Sequence, residues 1–176
     1  MLLPAGRQRR TTYGLLYAGA SLRALRDLIG RHDFLPLFTH WREHMFNHVM
    51  LGTNDIERAG RFYAAVLRVL GLETPPLRGV ADSGHVRLFF RHDGNTLAIA
   101  QPINDEPATA ANGGTLAFKC GSTEQVDAFH DTAVGNGGSS IEAPPGVRTL
   151  GPYTYYLAYV RDPDGNKLCA LHRLRD

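Results

Sequence analysis

The chain has 176 residues, of which 43% are hydrophobic and 20% charged, enough to bury one sizeable core or two small ones. No apolar run approaches the roughly 20 residues of a membrane-spanning helix, so the sequence predicts no membrane partner. Two cysteines are too few for a disulfide framework, which favours a reducing compartment, and we expect a cytoplasmic protein.

The net charge of +2 is unevenly distributed along the chain. Residues 1–44 hold seven arginines against three acidic residues, a net charge of +4. Residues 45–176 hold 12 basic and 14 acidic side chains, a net charge of −2. The basic charge belongs to the N-terminal segment, and the rest gives no electrostatic reason to expect a nucleic-acid partner.

Residues 1–44 are expected to form a poorly ordered basic extension, with one short amphipathic helix capped by Ser21 and ending at Gly30. In that interpretation, the natural start is Met45. Two alternatives stay open, because the first 26 residues contain arginine and no acidic residue, as in an organelle transit peptide, and LLYAGA after RQRR resembles a secretory signal.

From residue 45 onward, the sequence contains one unit twice. The segments HVMLGTNDIERAGRFY (48–63) and TLAFKCGSTEQVDAFH (115–130) align at an offset of 67 residues. Each predicts a strand, a helix cap and an amphipathic helix. Asn54 or Asp55 is expected to cap the first helix and Ser122 the second.

The second half of each unit repeats as well. Residues 85–101 and 155–172 each contain an arginine, a turn ending in Asp-Gly-Asn and an apolar strand, at an offset of 71 residues from the turn onward. The least distinct strands are expected near 73–80 and 138–142. The four extra residues of the second unit are expected in the Pro- and Gly-containing stretch 142–152, which we interpret as a loop.

Two tandem βαβββ modules, residues 46–103 and 113–173, predict an α+β fold. With HVMLGTNDIERAGRFY at its start and DPDGNKLCALH at its end, the domain at residues 45–176 resembles the vicinal oxygen chelate superfamily, the group of glyoxalases, bleomycin resistance proteins and extradiol dioxygenases. The resemblance covers residues 46–172. It implies mixed sheets curled into an open cup, with the helices outside and a ligand site within.

The resemblance also implies four places at which metal-dependent members hold one divalent ion. They lie on the first and last strands of each module and usually carry His and Glu. In this sequence they hold His48, Ala98, Thr115 and Cys169. Only His48 fits the hard oxygen and imidazole set of such a site, so we expect no cofactor, with a divalent metal held by His48 as the alternative.

The same four residues would then line a small-molecule pocket, together with Tyr155, which can stack on a planar ligand, and Arg87, which can contact an anionic group. Strand alternation places Cys169 on the cup face and Cys120 on the helix face. We therefore expect no disulfide between them, and Cys169 to be the more accessible thiol. A structural histidine at position 48 and an inert buried cysteine at position 169 are the alternatives.

Two functions remain from these observations. The first is a metal-free protein that binds a small molecule in the cup, as drug-sequestering members of the family do. The second is a lyase, isomerase or dioxygenase with an atypical metal site, for which the sequence identifies no catalytic residue. Because the four strands of one module do not enclose a cup, the modules are expected to pair within a chain or across a homodimer.

Overall fold

The computed structural model describes residues 46–174. The expectations for residues 1–44 lie outside this range. Within it, the chain forms eight strands and two helices. They are, in chain order, β1 (Val49–Gly52), α1 (Ile56–Val69), β2 (Leu77–Val80), β3 (Val86–His92), β4 (Asn95–Ala100), β5 (Leu116–Lys119), α2 (Thr123–Gly135), β6 (Ser139–Leu150), β7 (Tyr153–Arg161) and β8 (Lys167–Arg173).

Each module forms a four-stranded mixed sheet, and the two sheets have the same strand order. The first sheet runs β1-β4-β3-β2 and the second runs β5-β8-β7-β6. In both, the first strand pairs in parallel with the last, and the remaining pairs are antiparallel. The predicted α+β fold and its tandem repeat are therefore confirmed.

Both helices begin at caps that the sequence predicted. The Asp55 side chain accepts hydrogen bonds from two backbone N–H groups in the first turn of α1. The Ser122 side chain accepts one from the backbone N–H of Gln125 in α2. Such caps satisfy donors that a helix start otherwise leaves unpaired. After α1 the chain turns at Gly71, whose φ of 92° disfavours any residue with a Cβ.

One hydrophobic core serves both modules. Phe62 and Val66 of α1 and Phe129 of α2 are at most 1% exposed and belong to a single buried cluster. Ile99 from the first sheet and Leu168 from the second join the same cluster. The two helices also contact each other directly, so each module buries part of its apolar surface on the other.

The predicted loop at residues 142–152 was wrong, because the chain stays in β6 as far as Leu150. The strand contains a bulge: Ile141 lies opposite Tyr159 and Gly146 opposite Leu157, so four residues of β6 face one of β7. Three of the four extra residues of the second module are accommodated here, and the fourth lengthens the turn between β7 and β8. Prolines are tolerated because β6 is an edge strand, where a missing N–H costs no ladder bond.

Candidate ligand-binding site

Each sheet has one face against the helices and one face turned away from them. In β4, Leu97 and Ile99 belong to the core and Ala98 points away. In β8, Leu168 and Ala170 belong to the core and Cys169 points away. We call the face turned away from the helices the open face, and it corresponds to the cup face expected from the sequence.

Three of the predicted site residues share the open face of the first sheet. Met50 lies directly opposite Ala98 in the β1–β4 register, and His48 precedes Met50 by two residues, on the same face. Arg87 lies opposite Ala100, also on this face. His48 is exposed, whereas Ala98 is fully buried. The first module therefore contributes an imidazole, a methyl group and a guanidinium.

The other three share the open face of the second sheet. Ala117 lies opposite Cys169 in the β5–β8 register, and Thr115 precedes Ala117 by two residues. Tyr155 lies opposite Arg148 in the β6–β7 register. This face therefore contributes a hydroxyl, a thiol and a phenol ring.

The six residues form two groups of three. Within residues 46–174, no strand of the first sheet lies beside a strand of the second, and the modules meet through their helices and loops. β1 and β5 each lie at one edge of their sheets. The single chain thus brings together the predicted residues of each module, but does not join the two open faces edge to edge.

The expectation that Cys169 is the more accessible thiol was wrong. Both cysteines are free and buried, Cys169 being 3% exposed and Cys120 2%. They lie on opposite faces of the second sheet, as alternation predicted. Burial raises the pKa of both thiols to about 11, so both are protonated near neutral pH and are poor nucleophiles. On its own face, Cys169 is covered because Tyr159 lies directly opposite it on β7.

The four ligand places do not fit the metal set of the family. Ala98 has no donor atom, and Cys169 is a buried, protonated thiol. His48 and Thr115 leave one imidazole and one hydroxyl, and divalent ions are held by three or four protein ligands. Among residues 46–174, no three His, Cys, Asp or Glu side chains lie close enough to hold a metal ion.

The hairpin between β7 and β8 joins the two modules, a role that sequence analysis did not assign to it. The Asp164 side chain is 3% exposed and accepts hydrogen bonds from the Thr53 hydroxyl at 2.6 Å and the Asn54 backbone N–H at 2.9 Å. Arg58 Nη2 donates to the same carboxylate at 2.9 Å. Sequence analysis treated Asp164 only as part of a turn, since the donors come from residues more than 100 positions away.

A charged group also lies on the open face of the second sheet, where strand alternation places Lys167 beside Cys169. Lys167, at the start of β8, pairs with Glu142 of the bulge, and its Nζ lies 4.4 Å from the centroid of the Tyr159 ring. Burial and the neighbouring Cys169 raise the pKa of Tyr159. The β7–β8 register confirms the face that alternation predicts for Lys167. Nothing in the sequence indicated Glu142, because its position depends on the bulge.

A separate open cleft of about 560 Å³ lies where the start of β1 and the end of α1 approach β5. Its walls include Leu70, Leu97, Leu116 and Phe118, with His48 at one side.

The sequence also matches the model of the Glyoxalase/Bleomycin resistance protein/Dioxygenase superfamily over residues 45–170. Together with the paired βαβββ sheets, this match places the chain in that superfamily, to which it belongs. No curated protein matches the chain. In the described part of the chain, no helix is long and apolar enough to cross a membrane.

Solved structures give the same family. The chain is similar to a glyoxalase/bleomycin resistance protein from Albidiferax ferrireducens T118, with 49% identity over 74% of this chain and 100% of that one, and a TM-score of 0.67. It shares its fold with the fosfomycin resistance protein FosX from Listeria monocytogenes, at 17% identity over 76% of this chain and 94% of that one, with a TM-score of 0.53. A third protein of the fold, a glyoxalase/bleomycin resistance protein/dioxygenase family enzyme from Burkholderia phytofirmans PsJN, is 18% identical over 73% of this chain and 98% of that one, with a TM-score of 0.51.

Proposed function

We propose that the protein binds a small organic molecule on its open faces and does so without a four-ligand metal site. The observation that carries this proposal is the content of the four ligand places, above all Ala98, whose methyl group is fully buried where a carboxylate would be required. Tyr155 and Arg87 add a ring and a positive charge to these faces. Such a surface favours binding over metal-assisted catalysis.

The site is proposed to be completed by a second copy of the chain. One open face covers only one side of a ligand, and the sheets of one chain do not meet along their edges. Each open face carries exposed apolar side chains, Met50 (44%) and Leu77 (57%) on the first, Leu150 (56%) and Tyr153 (41%) on the second. Pairing the first face of one copy with the second face of its partner covers this surface and joins the two groups of site residues.

Metal analysis tests the absence of a metal site. The purified full chain is incubated with Zn²⁺, Ni²⁺, Mn²⁺ or Fe²⁺, passed over a desalting column, and its metal content measured. We expect much less than one ion per chain. The matched control restores the family set by Ala98→Glu, Thr115→His and Cys169→Glu, and is expected to retain about one ion per site. A stoichiometric ion in the unchanged chain would favour the lyase, isomerase or dioxygenase alternative.

Ligand binding is tested by following NMR signals of the protein. A panel of small organic acids, amides and amines is titrated into the isotope-labelled chain, and backbone NMR shifts are followed. Shifts are expected for residues on β1, β4, β7 and β8, at their open faces. Shifts confined to the cleft beside Leu70 and Leu116, or none with any compound, would contradict the proposed site. Analytical ultracentrifugation at several concentrations is expected to show a dimer.

A further inference from the structure

The inference concerns Lys167, whose side chain lies between two groups that hold it on the open face of the second sheet. Its ammonium pairs with the Glu142 carboxylate and lies 4.4 Å from the centroid of the Tyr159 ring. The lysine side chain is only 24% exposed. A lysine at the end of a strand would ordinarily extend into water, since its long side chain loses conformational freedom when it is fixed.

The backbone is strained where Glu142 reaches this lysine. Glu142 has a φ of 63°, in the left-handed region that is unfavourable for a residue with a Cβ. It lies at the start of the β6 bulge, which Arg148 braces by donating to the Pro144 carbonyl at 3.0 Å. The matching strand pair of the first module, β2 with β3, is regular. Strained residues beside bulges are concentrated at functional sites, which makes this carboxylate a candidate functional group.

The lysine keeps hydrogen-bonding capacity for a ligand. An ammonium has three N–H donors, and among the described residues only Glu142 accepts one of them. Arg161 lies opposite Lys167 in the β7–β8 register and uses its own guanidinium to donate to the Gly165 carbonyl. Lys167 and Arg161 against Glu142 leave one net positive charge at this corner of the face. A negatively charged group is therefore the complement of the site.

The strip of the face next to Lys167 is suited to an apolar body. Beyond Lys167, the residues Cys169 and Leu171 follow on β8, with Tyr159 and Leu157 opposite them on β7. These side chains carry no charge near neutral pH, because the Cys169 thiol and the Tyr159 phenol both stay protonated. An organic acid with its anionic end at Lys167 would place a ring or short hydrocarbon chain along this surface.

We propose that Lys167 is the anion-binding residue of the ligand site, positioned by Glu142 and Tyr159, and that the ligand is a small organic acid with an apolar body. This inference rests on the proposed function and specifies the class of its ligand. The ligand anion and Glu142 both bind the Lys167 ammonium. The Glu142 carboxylate therefore orients Lys167 and also competes with the ligand for the ammonium.

The test compares benzoate with benzamide, which has the same shape without the charge. Both are titrated into the full chain at constant ionic strength, with dissociation constants taken from NMR shifts. Since a hydrogen bond to a charged group contributes about 1.5–3 kcal/mol, benzoate is expected to bind about tenfold or more tightly than benzamide. Lys167→Met should abolish the difference. Arg61→Met removes an equal charge from an exposed position on α1, away from both open faces, and should leave the difference intact.

A second variant keeps the test decisive if Lys167→Met fails to fold, which thermal melting would reveal. Glu142→Gln leaves the lysine in place, removes the competing carboxylate and should tighten benzoate binding without changing benzamide binding. Equal affinities for benzoate and benzamide would overturn the inference and leave the proposed function intact. The inference is also overturned if Lys167→Met keeps the preference or Arg61→Met loses it. Failure of both compounds and of the wider panel would count against the proposed function itself.

Discussion

Asp93 and Asp164 occupy the same place in the repeated unit, 71 residues apart, yet only Asp164 is buried. Asp93 is exposed in the short turn between β3 and β4. Asp164 lies in the longer hairpin between β7 and β8 and is bound by Thr53 and Arg58 of the first module. One carboxylate of the pair belongs to the joint between modules, and the other faces solvent.

Replacing each aspartate by asparagine tests this difference with matched variants. Asp164→Asn turns an amide N–H₂ towards donors that need an acceptor, and we expect the free energy of unfolding to fall by about 1–3 kcal/mol. Asparagine tolerates the positive φ of 44° at position 93. Asp93→Asn should therefore change the free energy of unfolding by less than about 0.5 kcal/mol. Urea unfolding measures both. Equal losses in the two variants would show that the hairpin does not join the modules.

Glu142 offers a test of backbone strain. Glu142→Gln and Glu142→Gly both remove the charge that pairs with Lys167, but only glycine relieves the φ of 63°. We expect the glycine variant to be more stable than the glutamine variant by about 1 kcal/mol, as measured by urea unfolding. If the glutamine variant is the more stable, the left-handed conformation at this position is not strained.

The raised pKa of the two thiols predicts how stability depends on pH. The ordinary value is 9.0 and the folded value about 11 for both Cys120 and Cys169. Below pH 9 both thiols are protonated in the folded and unfolded chains, so they cause no pH dependence. Between pH 9 and 11 only the unfolded chain loses these protons, and the free energy of unfolding should fall by about 1.4 kcal/mol per thiol for each pH unit.

Cysteine variants separate this effect from other titrations. Cys120→Ala and Cys169→Ala should each reduce the slope of stability against pH between 9 and 10, whatever their effect at pH 7. A thiol reagent at pH 8 should react with neither cysteine until the protein is unfolded. Rapid reaction of Cys169 with the reagent in the native protein would show that the thiol is not buried beside Tyr159.

A chain beginning at Met45 is expected to remain folded. Residues 46–174 by themselves supply a buried hydrophobic cluster and a hydrogen-bonded joint between the modules. Thermal melting of this shorter chain should be as cooperative as that of the full chain. Loss of cooperative melting would instead indicate that apolar residues of the N-terminal segment, such as Phe34, Phe38 and Trp41, belong to the core.

The sequence was sufficient for the parts of the fold that depend on neighbouring residues. Apolar spacing and the caps at Asp55 and Ser122 located both helices, and alternation put Ala98 and Cys169 on the open faces. The repeat offset required no structural information. These features are short-range, because helix capping and strand parity are set within a few residues.

The features that the sequence did not reveal depend on contacts between distant segments. The prolines of β6 suggested a loop, and only the position of the strand at the sheet edge explains why they are tolerated. The burial of Cys169 follows from its neighbour on β7, and that of Asp164 from donors in the other module. Alternation along a strand indicates the face to which a side chain points. It does not indicate which neighbouring residues cover that side chain.

The bulge in β6 has a consequence for aggregation. An exposed strand edge is a template on which further chains can add, and unprotected edges promote fibre growth. At the outer edge of the second sheet, Pro144 and Pro145 lack backbone N–H groups and lie in an irregular stretch, which blocks such addition. The outer edge of the first sheet, β2, is only four residues long. Backbone pairing between copies is thereby hindered along β6, the longest edge strand among the described residues.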